Sequence, residues 1–441
     1  MSRRPLRTVG GRTDKVVIVG AGLGGLSAAL HLAGAGREVL VVERATVPGG
    51  RCGVLELDGY RFDTGPTVLT APDLLADPLH AVGEELSDWL RLRRLDPAYR
   101  GHFADGSAID VRADVGEMAD EIARTCGRRD ADGWLRYVAF LRELYHIELP
   151  NFIDRNLDSP RQLVGLPLLR LLALGGFRRL APKLADYVRD ERLRRLFSFQ
   201  AMYAGMAPTE ALALYAVITY LDCVAGVYFP DGGMHAAPRA LATAAAKHGV
   251  QFRYGTEIAA VDIVGTRATG VITATDERIP ADVVIVNTDL PTAYERLLPD
   301  VGTPRRVRRL RYAPSAVVLH LGSAAQYPDT THHAVHFGTT WEPTFEEIIH
   351  RGRLMSDPSF LMSTPTHTDA SLAPPGRHVR YALFPAPNTT GHVDWAAARP
   401  TYRDQILDTL QRRGYPDIGT GIEVERLVTP ADWQAAGLAA G

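Results

Sequence analysis

The chain has 441 residues, of which 46% are hydrophobic and 23% are charged, and its formal net charge is −2. This length exceeds what one hydrophobic core organises, so two or three subdomains are expected. The near-neutral charge argues against a nucleic-acid partner, which needs a broad basic surface. The three cysteines, Cys52, Cys126 and Cys223, have neither zinc-site spacing nor the number for a disulfide framework, which fits the cytoplasm.

The first 13 residues form a basic segment ahead of the first apolar run. Arg3 and Arg4 stand in tandem, but no apolar stretch follows them, so residues 1–13 are predicted to be a flexible tail and not a secretion signal. No stretch approaches the ~20 apolar residues that span a bilayer.

A strand, a glycine turn and a helix follow this tail. The run Val16–Val19 predicts a strand, and a second strand is predicted at Val39–Val42, closed by Glu43. Between them, Gly20 permits a tight turn and Gly22 lets the backbone approach a pyrophosphate. The same pattern predicts that Gly25 lets the helix pack on the strand, that the diphosphate binds at the helix N-terminus, and that Glu43 accepts hydrogen bonds from ribose hydroxyls.

Helical periodicity dominates from about Asp73 to Tyr220, and strands return after a helix predicted from Ala236 to His248. The later strands are predicted at 251–253, 258–263, within 271–286, at 316–321 and at 378–384. The run Val283–Val286 is apolar on both faces, which is typical of the interior of a parallel sheet.

A second glycine pair, Gly49-Gly50, precedes Arg51. The pair suits an extended ligand that continues past the first diphosphate contact, with Arg51 on a phosphate. A plain turn with a surface arginine explains the same residues equally well.

Several stretches together resemble the bacterial phytoene desaturase family, which shares the amine-oxidase type of FAD domain. They are Arg61–Asp73, Phe197–Gln200, Val227–Met234, Ala281–Val284 and Ser371–Gly376, read with the glycine turn and Gly49–Cys52. The resemblance implies FAD as cofactor, a carotenoid precursor as substrate, and hydride removal from a C–H bond next to a double bond.

The resemblance also implies positions for the cofactor. The FAD contacts it implies are Gly20, Ala21, Gly22, Leu23, Gly24, Gly25, Glu43, Arg44, Gly50 and Arg51. Gly65, Pro66 and Thr67 fall where the chain passes near the flavin ring, and Ile258 matches a backbone contact on the adenine side. Neither a catalytic residue nor an oligomeric state is assigned.

With this cofactor, the fold class is α/β, a Rossmann-like FAD-binding domain interrupted by a helical or mixed substrate and membrane-associating domain. In chain order the predicted regions after the tail are a first FAD-binding region (14–72), a helical membrane and substrate region (73–225), a second FAD-binding region (226–300), a mixed α/β substrate domain (301–425) and the start of a C-terminal FAD segment (426–441). The family pattern continues beyond this last segment with a glycine-rich motif, so we expect a shortened segment with weak FAD retention and low activity.

The segment from Arg161 to Lys183 contains five basic residues and no acidic one, with leucines between them. This pattern favours a surface that inserts its apolar face into lipid and binds anionic headgroups. The alternative is a buried helical pair with solvated arginines. A hydrocarbon substrate favours the membrane interpretation, which places the protein in the cytoplasm on the inner face of the cell membrane.

Three histidines, His332, His333 and His336, lie in a predicted loop and strand, where they share no helical face and have no carboxylate nearby in sequence. We therefore predict no metal site there. Three alternative functions stay open: another FAD-dependent carotenoid oxidoreductase or isomerase, a prenyl-lipid carrier of the same fold without redox activity, and an inactive truncated form.

Overall fold

The computed structural model describes residues 14–156 and 159–441, so the predicted tail, 1–13, lies outside the described residues. The strands are β1 Lys15–Val19, β2 Glu38–Val42, β3 Val54–Leu57, β4 Tyr60–Asp63, β5 Leu92–Arg94, β6 Tyr99–His102, β7 Ala108–Val111, β8 Tyr228–Pro230, β9 Gln251–Arg253, β10 Ile258–Val264, β11 Arg267–Thr273, β12 Arg278–Pro280, β13 Val283–Val286, β14 Ser315–Ser323, β15 His333–His336, β16 Phe360–Ser363, β17 His378–Ala386 and β18 Ile422–Val428.

The α-helices are α1 Leu23–Gly34, α2 Pro72–His80, α3 Leu86–Trp89, α4 Val115–Thr125, α5 Arg128–Glu148, α6 Leu166–Ala173, α7 Leu180–Ala185, α8 Glu191–Leu196, α9 Ala216–Tyr220, α10 Ala236–Lys247, α11 Leu290–Thr292, α12 Glu342–Phe345, α13 Trp395–Arg412 and α14 Pro430–Ala435. Short 3-10 and π-helical turns connect several of them.

The first sheet is parallel, with the order β13-β1-β2-β9. Successive residues of β1 face opposite sides, so Val16 and Ile18 pack under α1 and α10, whereas Val17 and Val19 pack against the antiparallel sheet β10-β11-β12. The strands predicted at 251–253 and 258–263 are confirmed as β9 and β10.

One expectation about this sheet is wrong. The sequence predicts Val283–Val286 in the sheet interior, but within residues 14–156 and 159–441 this strand pairs with β1 alone and forms an edge. Its four residues are half-buried. A strand that is apolar on both faces is therefore not necessarily an interior strand, because pairing with distant strands decides its position in the sheet.

The second sheet has seven strands in the order β18-β14-β17-β16-β15-β6-β7. Helix α13 covers one face, where Tyr402, Ile406 and Leu410 join a core with Leu319 and Phe384. The other face packs against the helical layer of α4, α5 and α8, in the largest core of the molecule.

The stretch 73–225 is predicted to be mainly helical, but it also supplies three short strands. Of these, β6 pairs parallel with β15, and β7 pairs with β6, so both extend the seven-stranded sheet. The predicted boundary after residue 425 falls inside β18, which pairs with β14. Strands this short give little periodicity, and their partners lie far along the chain.

Candidate functional site: the glycine turn and the segment beside it

The glycine turn joins β1 to α1 in a geometry that only glycine provides at two positions. Gly20 has a φ of +104°, in the region that L side chains disfavour, and its N–H donates to Val42 O at 2.8 Å. A Cβ on Gly25 would lie 2.1 Å from Gly20 O. Helix α1 therefore packs closely on the end of β1, as the sequence predicts for Gly25.

Helix α1 begins without a capping side chain. Its N-cap is Gly22, no side chain accepts a hydrogen bond from the first turn, and the first turn contains no acidic residue. The first N–H groups of a helix have no acceptor within the helix, so those of Leu23, Gly24 and Gly25 are left for a ligand. Together with the helix dipole they favour an anion such as a diphosphate.

Glu43 is buried at the end of β2, beside the turn. Its carboxylate accepts a hydrogen bond from Ala21 N–H at 2.7 Å and another from Ala45 N–H at 2.9 Å. Each carboxylate oxygen has two lone pairs, so both oxygens keep capacity for a ribose hydroxyl.

The second glycine pair lies directly against the first turn. Gly49 N–H donates to Ala21 O at 2.9 Å, and a Cβ on Gly50 would lie 3.2 Å from the Cα of Gly22. The side chain of Arg51 is largely exposed and forms an ion pair with Asp289. The structure thus brings together the residues that the sequence placed on one extended ligand.

Arg44 and Ile258 lie at the edge of this group. The exposed Arg44 side chain donates to Ala436 O, away from the turn. Ile258 begins β10 with its side chain in the core against Val42, so only its backbone remains for a ligand. Thr256 N–H donates to Glu43 O at 2.9 Å. Since Thr256 and Glu43 are the close neighbours of Ile258 and Arg44 in sequence, this hydrogen bond brings the two predicted contacts near each other.

The segment Gly65–Thr67 runs between Arg51 and the seven-stranded sheet. A Cβ on Gly65 would lie 1.9 Å from Arg51 O, so this approach requires glycine. Pro66 is exposed, whereas Thr67 lines a small cavity together with Phe229 and Tyr381.

Sequence reasoning missed Asn287. It follows β13, and its amide lies above the turn, with Oδ1 2.9 Å from where a Cβ of Gly24 would stand and Nδ2 3.0 Å from that of Gly25. Its position directly after a predicted strand could have indicated a role, because polar residues at the carboxyl ends of parallel strands line ligand crevices. The same argument applies to Asp289, the partner of Arg51.

A polar cluster of the buried Tyr99 and Asp222 and the half-exposed Tyr203 lies on the helical side of the sheet. Tyr99 donates its hydroxyl to Asp222 at 3.0 Å, and the Tyr203 hydroxyl lies 3.3 Å from that of Tyr99. Burial raises the pKa of Asp222 to about 7. Asp222 Oδ1 has no hydrogen-bond partner among the described residues.

The three histidines of the β15 region are buried, and each contacts protein groups. His333 faces two backbone carbonyls, His332 lies 2.6 Å from the Thr368 hydroxyl, and His336 lies 3.1 Å from the Tyr415 hydroxyl. Within 14–156 and 159–441, no three His, Cys, Asp or Glu residues are grouped to hold a metal ion.

These residues fit a dinucleotide on three observations. The helix N-terminus lacks a cap, Glu43 is fixed at the end of the second strand, and Gly50, with a φ of +57°, packs its backbone directly on Gly22. The diphosphate would bind at the N-terminus of α1 and the ribose at Glu43. The rest of the dinucleotide would extend past Arg51 toward the seven-stranded sheet. This fold and site define an α/β protein with a dinucleotide site at its parallel sheet and a second, seven-stranded sheet.

Comparison with known proteins identifies the dinucleotide as FAD. The family model "Flavin containing amine oxidoreductase" matches residues 23–439. The chain is 54% identical to a phytoene dehydrogenase of Streptomyces griseus over 98% of its own length and 85% of that protein. It is 38% identical to a zeta-carotene-forming phytoene desaturase of Myxococcus xanthus, covering 95% of this chain and 81% of the relative.

A crystal structure of an oxidoreductase from Methanosarcina mazei has the same fold, with a TM-score of 0.63 at 19% identity, over 94% of this chain and 87% of that one. The chain therefore belongs to the flavin-containing amine oxidoreductase family, within its phytoene desaturase branch. The predicted fold class and the predicted cofactor are confirmed.

Proposed function

We propose that this protein dehydrogenates phytoene or a related carotenoid precursor at CH–CH bonds in an FAD-dependent reaction. The observation that carries the proposal is the 54% identity to the Streptomyces griseus phytoene dehydrogenase over 98% of the chain. When bound, FAD supplies the hydride acceptor that an unactivated C–H bond requires.

The residues of the chain orient the cofactor and exclude water. The glycine turn and Glu43 hold the nucleotide end, and the segment Gly65–Thr67 leads to a sheet face lined with aromatic side chains. The cavity beside Thr67 is only about 10 Å³, room for about one water molecule.

The test is product analysis with the purified, FAD-loaded protein and phytoene in liposomes. Desaturation removes two hydrogens for each new double bond, so the product has a lower mass and a longer-wavelength absorption. A product of unchanged mass would instead indicate an isomerase. A protein without a flavin absorption band that still binds prenyl lipid would indicate a carrier.

We further propose that residues 161–183 attach the protein peripherally to the cytoplasmic face of the cell membrane. Helix α6 begins with Pro167 in its first turn and ends at Ala173, and it exposes Leu166, Leu169 and Leu172 by 62%, 61% and 52%. Val164, just before it, is 76% exposed. Among the described residues, no helix has the length and apolarity to cross a bilayer.

Charge supports the same face. Arg161 and Arg170 are exposed beside these apolar side chains, and each basic residue near an anionic surface contributes about 1 kcal/mol. The substrate supports it too, because burial in lipid stabilises a hydrocarbon by about 0.8 kcal/mol per methylene. An enzyme that acts on such a molecule has to collect it from the bilayer.

Flotation with anionic liposomes tests the attachment. The variant Leu166→Ser/Leu169→Ser should lose most of its liposome-bound fraction. Its matched control is Val264→Ser/Val301→Ser, which removes two other exposed apolar side chains, 62% and 56% exposed, that lie outside the segment 161–183. Equal loss in both variants, or in neither, would rule out attachment through α6.

A further inference from the structure

Three side chains of the seven-stranded sheet lie within hydrogen-bonding distance of alternate carbonyl groups of the segment Asp63–Thr67. His320 Nε2 on β14 lies 3.3 Å from Asp63 O, Tyr381 Oη on β17 donates to Gly65 O at 3.2 Å, and His333 Nε2 on β15 lies 3.1 Å from Thr67 O. The contacted carbonyls are two residues apart along the chain, which leaves β4 at Asp63 and bends at Thr64 and Gly65. The segment is therefore attached to the seven-stranded sheet along its length.

These contacts are shielded from water. His320 and His333 have no exposed surface, and Tyr381 is 5% exposed. A hydrogen bond in such surroundings is electrostatically stronger than one in water, and a buried carbonyl that loses its donor is costly. Three such contacts within five residues attach the segment at several points.

Each histidine also faces a second carbonyl. His333 Nδ1 lies 3.3 Å from Ala98 O, and His320 Nδ1 lies 3.3 Å from Arg426 O. Burial lowers the pKa of both rings to about 4, so at neutral pH each ring has one proton to donate. For His333 the shorter contact, to Thr67 O, favours the tautomer with the proton on Nε2.

The opposite side of the segment contacts the nucleotide-binding region. Gly65 packs on the carbonyl of Arg51, and the Asp63 carboxylate accepts hydrogen bonds from Met234 N–H at 2.9 Å and His235 N–H at 3.2 Å. A cofactor that extends from Gly22 past Arg51 toward the seven-stranded sheet must pass this segment. The segment therefore contacts the seven-stranded sheet on one side and Arg51, Met234 and His235 on the other.

We propose that His320, Tyr381 and His333 are positioning residues, which fix Gly65–Thr67 beside the flavin ring and so set the ring's position relative to the seven-stranded sheet. The proposal rests on the proposed FAD-dependent function. Without these donors the protein would still hold the nucleotide end of FAD at the glycine turn, but the segment at the ring end would be loose.

The first test compares two buried tyrosines. Tyr381→Phe removes only the hydroxyl bound to Gly65 O. The control, Tyr402→Phe on α13, removes a buried hydroxyl that has no hydrogen-bond partner among the described residues. Hydrogen–deuterium exchange of peptides covering residues 63–70, measured on the protein without FAD, should become about fivefold faster in Tyr381→Phe, as expected for a lost hydrogen bond.

With FAD bound, Tyr381→Phe should shift the visible flavin spectrum and the flavin reduction potential, and lower kcat about fivefold with an unchanged KM. Tyr402→Phe should leave all of these as in the wild type. Identical exchange and spectra in the two variants would overturn the proposal.

A second pair tests His333. His333→Gln keeps an amide donor toward Thr67 O, whereas His333→Leu removes it, so exchange and spectrum should be partly restored in the first relative to the second. No difference between these two would contradict the proposal. If the wild type binds FAD but does not desaturate phytoene, the proposed function is wrong, and the exchange data still decide whether these side chains hold the segment.

Discussion

The carboxylate of Glu43 accepts a hydrogen bond from the N–H of Ala21 at 2.7 Å. This contact joins the end of β2 to the glycine turn and fixes the acid before any ribose arrives. An acid in a fixed orientation loses little conformational freedom on binding, so the nucleotide site is preorganised.

Glu43→Gln should weaken FAD binding about tenfold, because an amide replaces one charged acceptor and points a donor at backbone N–H groups. Titration of the FAD-free protein by flavin fluorescence measures the effect. The matched control is Glu38→Gln, at the exposed start of the same strand. Equal Kd values for the two variants would remove Glu43 from the site.

Gly25→Ala should prevent FAD binding and lower the Tm by several degrees, because its Cβ would stand 2.1 Å from a backbone oxygen and the turn would have to move. The control is Gly419→Ala, where no atom lies within 4 Å of the added Cβ. Thermal unfolding followed by circular dichroism, with and without FAD, measures both. A Gly25→Ala protein that retains flavin through gel filtration would contradict this packing.

Arg51 and Asp289 should have opposite effects on cofactor affinity. Arg51→Ala removes the cation predicted to bind phosphate, so the Kd for FAD should rise about tenfold. Asp289→Asn removes the carboxylate that pairs with this cation, so the Kd should fall. The double variant should resemble Arg51→Ala, because without the cation the carboxylate has nothing to compete for. If both single variants change the Kd for FAD in the same direction, Arg51 does not bind the cofactor and only forms the ion pair with Asp289.

Asp222→Asn should stabilise the protein at neutral pH but not in acid. Burial raises the pKa of Asp222 from 3.8 to about 7, so between these values the folded state retains a proton that the unfolded state has lost. Wild-type stability therefore loses a contribution as pH rises through this window, and the variant, which cannot titrate there, does not.

Urea unfolding from pH 4 to pH 8 measures the difference between the two proteins. It should grow with pH up to about 7 and then level off. The exposed-residue control Asp132→Asn should show no such trend. A flat difference for Asp222→Asn would mean that this carboxyl is ionised in the folded protein throughout the range.

The nucleotide end of the site was predictable because its components are local in sequence. Gly20, Gly25 and Glu43 all belong to one strand–helix–strand unit, and each has a backbone requirement that few other residues meet. The sequence could also suggest FAD, because several separate stretches match one family. The roles of all the named residues as FAD contacts, Arg44 and Ile258 included, stay predictions.

Only the tertiary structure decided what surrounds the segment Gly65–Thr67. Tyr381 binds a carbonyl 316 residues away, and His333 one that is 266 residues away. No periodicity marks such pairs, because a buried histidine or tyrosine in a strand has the same local pattern whichever carbonyl it contacts. The sequence also did not predict that β13 is an edge strand or that β6 and β7 join the seven-stranded sheet. Their partners, too, are distant in sequence. The sequence by itself determined the nucleotide-binding turn, since local backbone geometry fixes it. Packing between distant strands decided which side chains hold the segment Asp63–Thr67.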